Sequence, residues 1–403
     1  MAKEFDIIIF GATGFTSGLV ASYFASNVDI NKVKWAIAGR NLDKLEGIKG
    51  KLEAINPECY KVGLIEADTS DKVSLSKMAS KGKIVVSTVG PFIHYGIPVV
   101  EACIQEGTHY LDITGEPVFV SNVLKDYDVL AKEKGVLIIN CCGFDSIPAD
   151  LGAFFTAKQF EKTEKVDIKG YVSSNGTFSG GTWASAINAF AEGNKGMEKS
   201  GQQGSGSKKE KFDILKLVKF IPEIKKYALP MPVIDPWMVG RTAKVRKDIY
   251  GQGFSYNQFI ALPNLPAVFG LLGGLGLVVL GAQFKITKEL MLNYRKSGEG
   301  PDKAKRDKSF FKLTFIGKSD TKTVITTVSG GDPGYTETSK MLSESALTLF
   351  ANYDKLAIQS GVTTPGAALG DFLIDILNDK GIKFEVKNLL WKLLILYCIS
   401  EIS

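Results

Sequence analysis

One stretch restricts the fold more than any other. A short apolar run, Ile7-Ile-Ile-Phe10, passes into Gly11-Ala-Thr-Gly14-Phe-Thr-Ser17-Gly18 and then into a helical pattern, Leu19–Asn27. A second buried run, Lys34–Ala38, ends in Gly39-Arg40 and completes a βαβ unit. Gly11 permits the tight turn, and Gly14 lets the backbone approach a pyrophosphate. The helix beyond offers unpaired N–H groups and the positive end of its dipole to that anion. The spacing therefore predicts a dinucleotide-binding turn built from Gly11, Ala12, Thr13, Gly14, Phe15 and Thr16. A glycine-rich strand–helix turn without a ligand is the plainer alternative. The third glycine of a GxxGxxG pattern would fall on Ser17, which is small enough for helix–strand packing.

The end of the second strand selects the cofactor. NAD binders place an acid there for the ribose hydroxyls, and NADP binders an arginine near the 2′-phosphate. Arg40 holds that place, with no acid until Asp43, so NADP is expected ahead of NAD. A third strand, Val62–Glu66, ends in Ala67-Asp68; Asp68 either meets the adenine edge or caps the helix starting near Asp71. A fourth, Ile84–Val89, delivers Gly90-Pro91-Phe92 ahead of a helix expected over Pro98–Glu106. The fifth and sixth, Tyr110–Ile113 and Val136–Asn140, lead into Thr114-Gly115-Glu116 and Gly143-Phe144-Asp145-Ser146. Ligands of a doubly wound sheet sit beyond the carboxyl ends of its strands, so these three loops should gather on the nicotinamide side.

Those loops supply the candidate catalytic residues. His94 and Tyr95 follow the fourth strand; a histidine there suits a general acid near neutral pH, and packing against the loop is the alternative. Glu116 is either a proton relay or the first acid of the following helix. Asp145 and Ser146 also lie on the cleft side; Asp145 either serves the cleft or caps the helix over Ile147–Phe155, for which Ser146-Ile-Pro148 is also a start signal. His109 precedes its strand, at the wrong end of the sheet for the cleft. Five scattered cysteines and two histidines offer no zinc spacing, so no metal site is expected and the thiols read as reduced.

The chain also resembles the saccharopine dehydrogenase-like oxidoreductases. The resemblance rests on Gly11-Ala-Thr-Gly-Phe-Thr16, Ala38-Gly-Arg40, Val89-Gly-Pro-Phe92, Tyr95-Gly96, Val100-Glu-Ala-Cys103, Asp112-Ile-Thr-Gly-Glu116 and Gly143-Phe-Asp-Ser-Ile-Pro-Ala-Asp150. It extends to Thr364-Pro-Gly-Ala-Ala-Leu-Gly370 and Gly381-Ile-Lys-Phe-Glu-Val386. It implies an NAD(P)-dependent oxidoreductase with a Rossmann domain and a mixed α/β substrate domain. It also implies association with lipid droplets or membranes, and a link to complex-lipid synthesis through bacterial members that look like trans-acting reductases. Saccharopine itself is not the expected substrate. Its three carboxylates call for arginine forks, and this chain has only Arg40, Arg241, Arg246, Arg295 and Arg306.

The later chain holds its least ordinary feature. From Ile249 to Phe284 there are 36 consecutive residues without Asp, Glu, Lys, Arg or His, although 23% of all residues are Asp, Glu, Lys or Arg. Its core, Leu265–Ala282, is almost wholly apolar yet contains Pro266 and five glycines. A spanning helix needs about 20 apolar residues, and this core has 18. A buried core helix would lose roughly 1 kcal/mol per glycine against alanine. A monotopic insertion, as a kinked helix or hairpin, suits both length and glycines. Lysine-rich runs at 195–226 and 285–312, each with nine basic and four acidic residues, carry +5 apiece against −4 for the rest of the chain, giving the net charge of +6, and would meet anionic headgroups.

The expected architecture is α/β. Residues 1–150 form a Rossmann-type doubly wound parallel sheet, and 151–345 a second mixed α/β domain carrying the apolar insertion at about 249–284. Residues 346–387 pack back as helices and a strand, and 388–403 form an apolar tail. The expected function is an NADP-dependent oxidoreductase acting on a lipid-like substrate, intracellular, at the cytosolic face of a lipid droplet or membrane, in glycolipid or complex-lipid metabolism. The alternative is a catalytically silent, dinucleotide-binding scaffold on the same surface. Nucleic acid is not an expected partner.

Overall fold

With isoleucine at three successive positions followed by phenylalanine, the first strand has no polar side chain from Ile7 onward for a solvated face. In the computed structural model, which describes residues 3–176, 217–251, 253–294 and 300–387, that strand is central. β1 (Phe5–Phe10) lies between β2 (Trp35–Gly39) and β4 (Gly82–Ser87); β3 (Gly63–Glu66) is outside β2. β5 (His109–Asp112) and β6 (Leu137–Ile139) continue beyond β4, all parallel. The order β3-β2-β1-β4-β5-β6 is that of a doubly wound dinucleotide fold. A seventh parallel strand, Gly361–Thr363, arrives from far along the chain and pairs with β6.

Alternation along β1 feeds both faces. Ile7 and Ile9 join a core with α1 (Phe15–Asn27) and α2 (Leu42–Ile55). Ile8 and Phe10 join another with α3 (Lys72–Lys81), α4 (Phe92–Gln105) and α5 (Pro117–Glu133). Helix α4 begins nearly two turns before the expected Pro98, which lies inside it. Proline is a start signal because its missing N–H is free at a first turn; here the remainder of the helix carries it. His94 and Tyr95 consequently occupy the first turn of a helix, not a loop.

After β6 the chain enters α6 (Ile147–Ala157) and then a second, mixed sheet. Its strands are β7 (Lys165–Ser174), β8 (Lys219–Ile221), β9 (Lys226–Pro230), β10 (Gly253–Leu262), β11 (Phe311–Lys318) and β12 (Thr323–Gly330). With β13 assigned to Gly361–Thr363, the last is β14 (Lys383–Lys387), an edge strand beside β12. Among the described strands of this sheet only β7 and β10 pair in parallel; the expected hairpin of residues 310–316 and 323–328 is β11–β12. Helix α7 (Asp235–Val245) packs on α6. Helices α8 (Leu265–Ala282) and α9 (Lys285–Tyr294) follow β10, and α10 (Thr336–Asn352) crosses back to α1. The helix expected over 367–379 breaks at Gly370, where φ is +40°, leaving α11 (Gly370–Asp379). The expected helix from Gly180 to Phe190, the Gly201–Ser207 loop and the tail 388–403 lie outside the described residues.

Helix α6 joins the two sheets, and ten of its eleven residues are buried. A Cβ on its Gly152 would lie against the Phe315 ring and 3.0 Å from Val328 Cγ2, so glycine sets how closely α6 approaches β11 and β12. Gly152→Ala should raise helix propensity by about 1 kcal/mol yet lose about 1–3 kcal/mol to overpacking. The expected net effect is a lower urea midpoint; a raised midpoint would contradict this packing.

Candidate functional site

The turn after β1 is built on Gly11. Its φ of +90° suits glycine, and a Cβ there would come 2.6 Å from Val89 Cγ2 and 3.3 Å from Thr88 Oγ1. Its amide and that of Ala12 both donate to the Ala38 carbonyl, at 2.9 and 3.1 Å, fixing the turn over the end of β2. Gly14 then opens α1 with no side-chain cap and no acid in the first turn. The leading N–H groups of Phe15, Thr16 and Ser17 therefore lack an intrahelical acceptor, as an anion site requires. Ser17, where a third glycine was expected, is buried, and its hydroxyl pairs with that of Thr88 at the end of β4. Serine thus ties α1 to the neighbouring strand, a bond no glycine provides.

Arg40 is exposed directly after β2. Asp68 lies near enough for Arg40's charge to act on it, but its carboxylate accepts from the Ser70 amide and hydroxyl, both at 2.8 Å. Those bonds, then Arg40, hold its carboxyl below the usual range. Asp71, not Asp68, caps α3.

On the other side of the turn, Gly90-Pro91 leads into α4, whose first turn presents exposed His94 and Tyr95, ring centroids 6.2 Å apart. Glu116 reaches this turn from the loop after β5. Its two carboxylate oxygens accept from the Phe92 and Ile93 amides at 2.9 and 2.8 Å, a cap supplied from outside the helix. The sequence placed Glu116 as a relay or as the first acid of its own helix; it caps a different one. The β5 and β6 loops are organised by Asp112, fully buried, which accepts from the Thr114 and Cys141 amides and from Asn140 Nδ2. Burial outweighs these donors and pushes its carboxyl up to about 6. Cys141, at φ 63°, is held in that strained conformation by the same carboxylate.

Asp145 lies against Gly115; a Cβ on Gly115 would be 2.9 Å from its Oδ2. Helix α6 is capped at Ser146 without a side-chain bond, so the expected capping by Asp145 is absent. Beneath Asp145 are two acids the sequence gave no reason to join. Asp150, on α6, accepts from the Thr242 hydroxyl and the Gly366 amide, and burial pushes its carboxyl up to about 7. Asp235, at the start of α7, accepts from Gln258, and its Oδ1 is buried without a partner. Burial, then Asp145 and Asp150, raise Asp235 well above the carboxylate range. These residues come from four distant segments, so no local spacing could announce them. His109, excluded from the cleft, accepts the Leu137 amide at 3.0 Å, and burial lowers it to about 4.

Comparison with known proteins fits this geometry. The family model described as saccharopine dehydrogenase NADP binding domain matches residues 7–139. A saccharopine dehydrogenase-like oxidoreductase of Rattus norvegicus is 32% identical over 424 residues, covering 95% of this chain and 97% of the relative. A Caenorhabditis elegans protein named lipid droplet localized protein is 28% identical, covering 96% and 99%. Among solved structures, the saccharopine dehydrogenase of Saccharomyces cerevisiae is similar with a TM-score of 0.58 at 13% identity, covering 95% of this chain and all of the other, a likeness of fold.

Two outcomes follow from the buried carboxylates and the remote cap. The folded chain keeps a proton on Asp150 that the unfolded chain releases above the ordinary value of 3.8. Stability from this group is therefore lost as pH rises from about 4 to about 7. Asp150→Asn should flatten that part of a urea stability profile, and an unchanged slope would exclude Asp150 as its source. Glu116→Ala strands two amides and should lower stability by about 1–2 kcal/mol, with Glu116→Gln between it and wild type; an alanine variant of full stability would remove the capping role.

Proposed function

We propose, on the premise that the chain belongs to the saccharopine dehydrogenase-like oxidoreductase family, that it is an NADP-dependent oxidoreductase working on a lipid-like substrate at the surface of a lipid droplet or membrane. The single observation that carries the lipid reading is helix α8. It has a mean hydropathy of 2.1 and only 11% of it is buried; Phe269, Leu275, Leu277 and Leu280 are all exposed, Leu277 to 71%. A helix that is apolar all round belongs inside a protein core or in lipid. The described residues leave most of it uncovered, which supports the lipid reading over the buried-core one. Among the described residues, a Cβ added at Gly270, Gly273, Gly274 or Gly276 would meet nothing within 4 Å, so close packing there does not account for these glycines. A lipid monolayer or bilayer would bury the whole surface and favour the helix despite them.

The residues of the turn fit the cofactor. Gly11, Ala12, Thr13, Gly14, Phe15 and Thr16 would hold its diphosphate, and Arg40 its 2′-phosphate. Asp68 would lie toward the adenine, and Gly90 and Pro91 beside the nicotinamide. When bound, NADPH supplies a hydride. In this reading His94 and Tyr95 would deliver a proton, and Glu116, by fixing the first turn of α4, supports that role. A lipid-like substrate also agrees with how the arginines are used. Arg241 donates to the Val362 carbonyl and lies over Trp237, while Arg246 pairs with Asp248 and lies over Phe154. Neither is free to fork a tricarboxylate.

Fluorescence titration should find NADPH bound more tightly than NADH, with Arg40→Ala removing most of that preference. Equal affinity of wild type for the two would end the assignment of Arg40. The double variant Leu277→Asp/Leu280→Asp should no longer float with lipid-droplet-like emulsions or anionic liposomes while retaining NADPH affinity; unchanged flotation would remove α8 as the anchor. Binding of NADPH without turnover of any lipid carbonyl or enoyl substrate would favour the scaffold reading.

A further inference from the structure

The basic run after the apolar helices returns to the nucleotide turn, at Phe15. A Cβ on Gly300 would collide with the Phe15 ring, the Tyr335 ring meets it edge-on at 5.0 Å, and the Arg306 guanidinium carbon lies 5.6 Å from its centroid. Arg306 belongs to a short helical turn, Lys303–Asp307, whose Asp302 caps the Lys305 amide. Asn175, just past β7, ties that turn down by accepting from the Phe310 amide at 2.7 Å and donating to the Lys308 carbonyl at 3.1 Å. The neighbouring acids are already used: Asp307 pairs with Lys303 at 2.7 Å, and Asp302 is engaged as the cap. Arg306 Nε and Nη1 are buried, with no hydrogen-bond partner among the described residues.

A charged donor pair shielded from water without an acceptor is costly, because guanidinium keeps its charge in any protein environment. The cost is recovered when an anion with two oxygens meets the fork. Phe15 is the first residue of α1, whose leading amides are themselves uncapped. Two sets of unsatisfied donors, the leading amides of α1 and the Arg306 fork, thus both border Phe15. We propose that Arg306 binds the diphosphate of the dinucleotide, completing from the second half of the chain a site that Gly11–Thr16 begin. The proposal rests on the cofactor assignment, which its test keeps separate.

The diphosphate is common to NADPH and NADH, whereas the 2′-phosphate is not. In full-length protein, Arg306→Ala should weaken both cofactors by about 10- to 100-fold, the range for losing hydrogen bonds to a charged group. Arg306→Lys, which keeps charge without the fork, should recover only part. Arg40→Ala should weaken NADPH alone. Urea midpoints without cofactor identify any variant that is misfolded, in which case Arg306→Lys carries the comparison. Arg306 variants binding both cofactors within twofold of wild type would overturn the proposal. A loss confined to NADPH would overturn it too, moving Arg306 to the 2′-phosphate. If wild type bound neither cofactor, the underlying assignment would fail instead.

Discussion

Helix α6 is buried on every side, and the relation between the two sheets depends on it. It leaves the nucleotide sheet directly after β6 and lies against β11 and β12, with Gly152 allowing contact at the distance of a bare backbone. The same helix carries Asp150, bonded to Thr242 on α7 and to the Gly366 amide just after β13. One helix therefore joins the second sheet by apolar contact and the returning C-terminal segment by a carboxylate. Burying that carboxylate costs stability near neutral pH, as its raised value shows. What it gives in return is a directional link among three segments that apolar packing alone would leave free to slide.

The nucleotide turn has a similar division of labour. The bend itself is local: Gly11 fits against Val89, and two amides reach Ala38. What surrounds the bend is brought from elsewhere. Glu116 caps the helix that carries His94 and Tyr95, Thr88 anchors Ser17, and Gly300 and Tyr335 enclose Phe15. Local chain geometry creates the unpaired amides, and tertiary contacts decide which stay available to a ligand. The α4 amides are taken by Glu116; those of α1, with neither side-chain cap nor first-turn acid, are left for an anion.

This division also explains what the sequence could reveal. The first six strands were readable because isoleucine-rich runs and the glycines between them act within a few residues. Arg40 was legible for the same reason, since its place is fixed by the strand before it. Pro98 misled because a proline signals a helix start only when nothing upstream caps an earlier one, and the cap, Glu116, is eighteen residues downstream of it. Asp150 and Asp235 were invisible as neighbours, because α6 and α7 lie far apart in the sequence and come into contact only in the folded chain. Arg306 was grouped with the surface lysines for want of any local mark distinguishing it.

Helix α8 is apolar in sequence and, among the described residues, largely uncovered in the structure. Its 18 residues rise about 27 Å at 1.5 Å each, near the hydrocarbon thickness of a bilayer. In water, most of that length would expose leucine and phenylalanine beside glycines that favour the unfolded chain. Caps at its start are in place, with Asn264 accepting the Ala267 amide, and Thr287 on α9 bonds back to the Gly281 and Phe284 carbonyls. These few polar bonds fix how the helix leaves the fold, and they cannot repay an exposed apolar surface of that size. In the proposed function a lipid surface does so, and the uncharged stretch followed by Lys285 and Lys288 is suited to anionic headgroups. The excursion leaves from β10 and comes back at Gly300 against Phe15, so the segment suited to lipid ends where the cofactor turn begins.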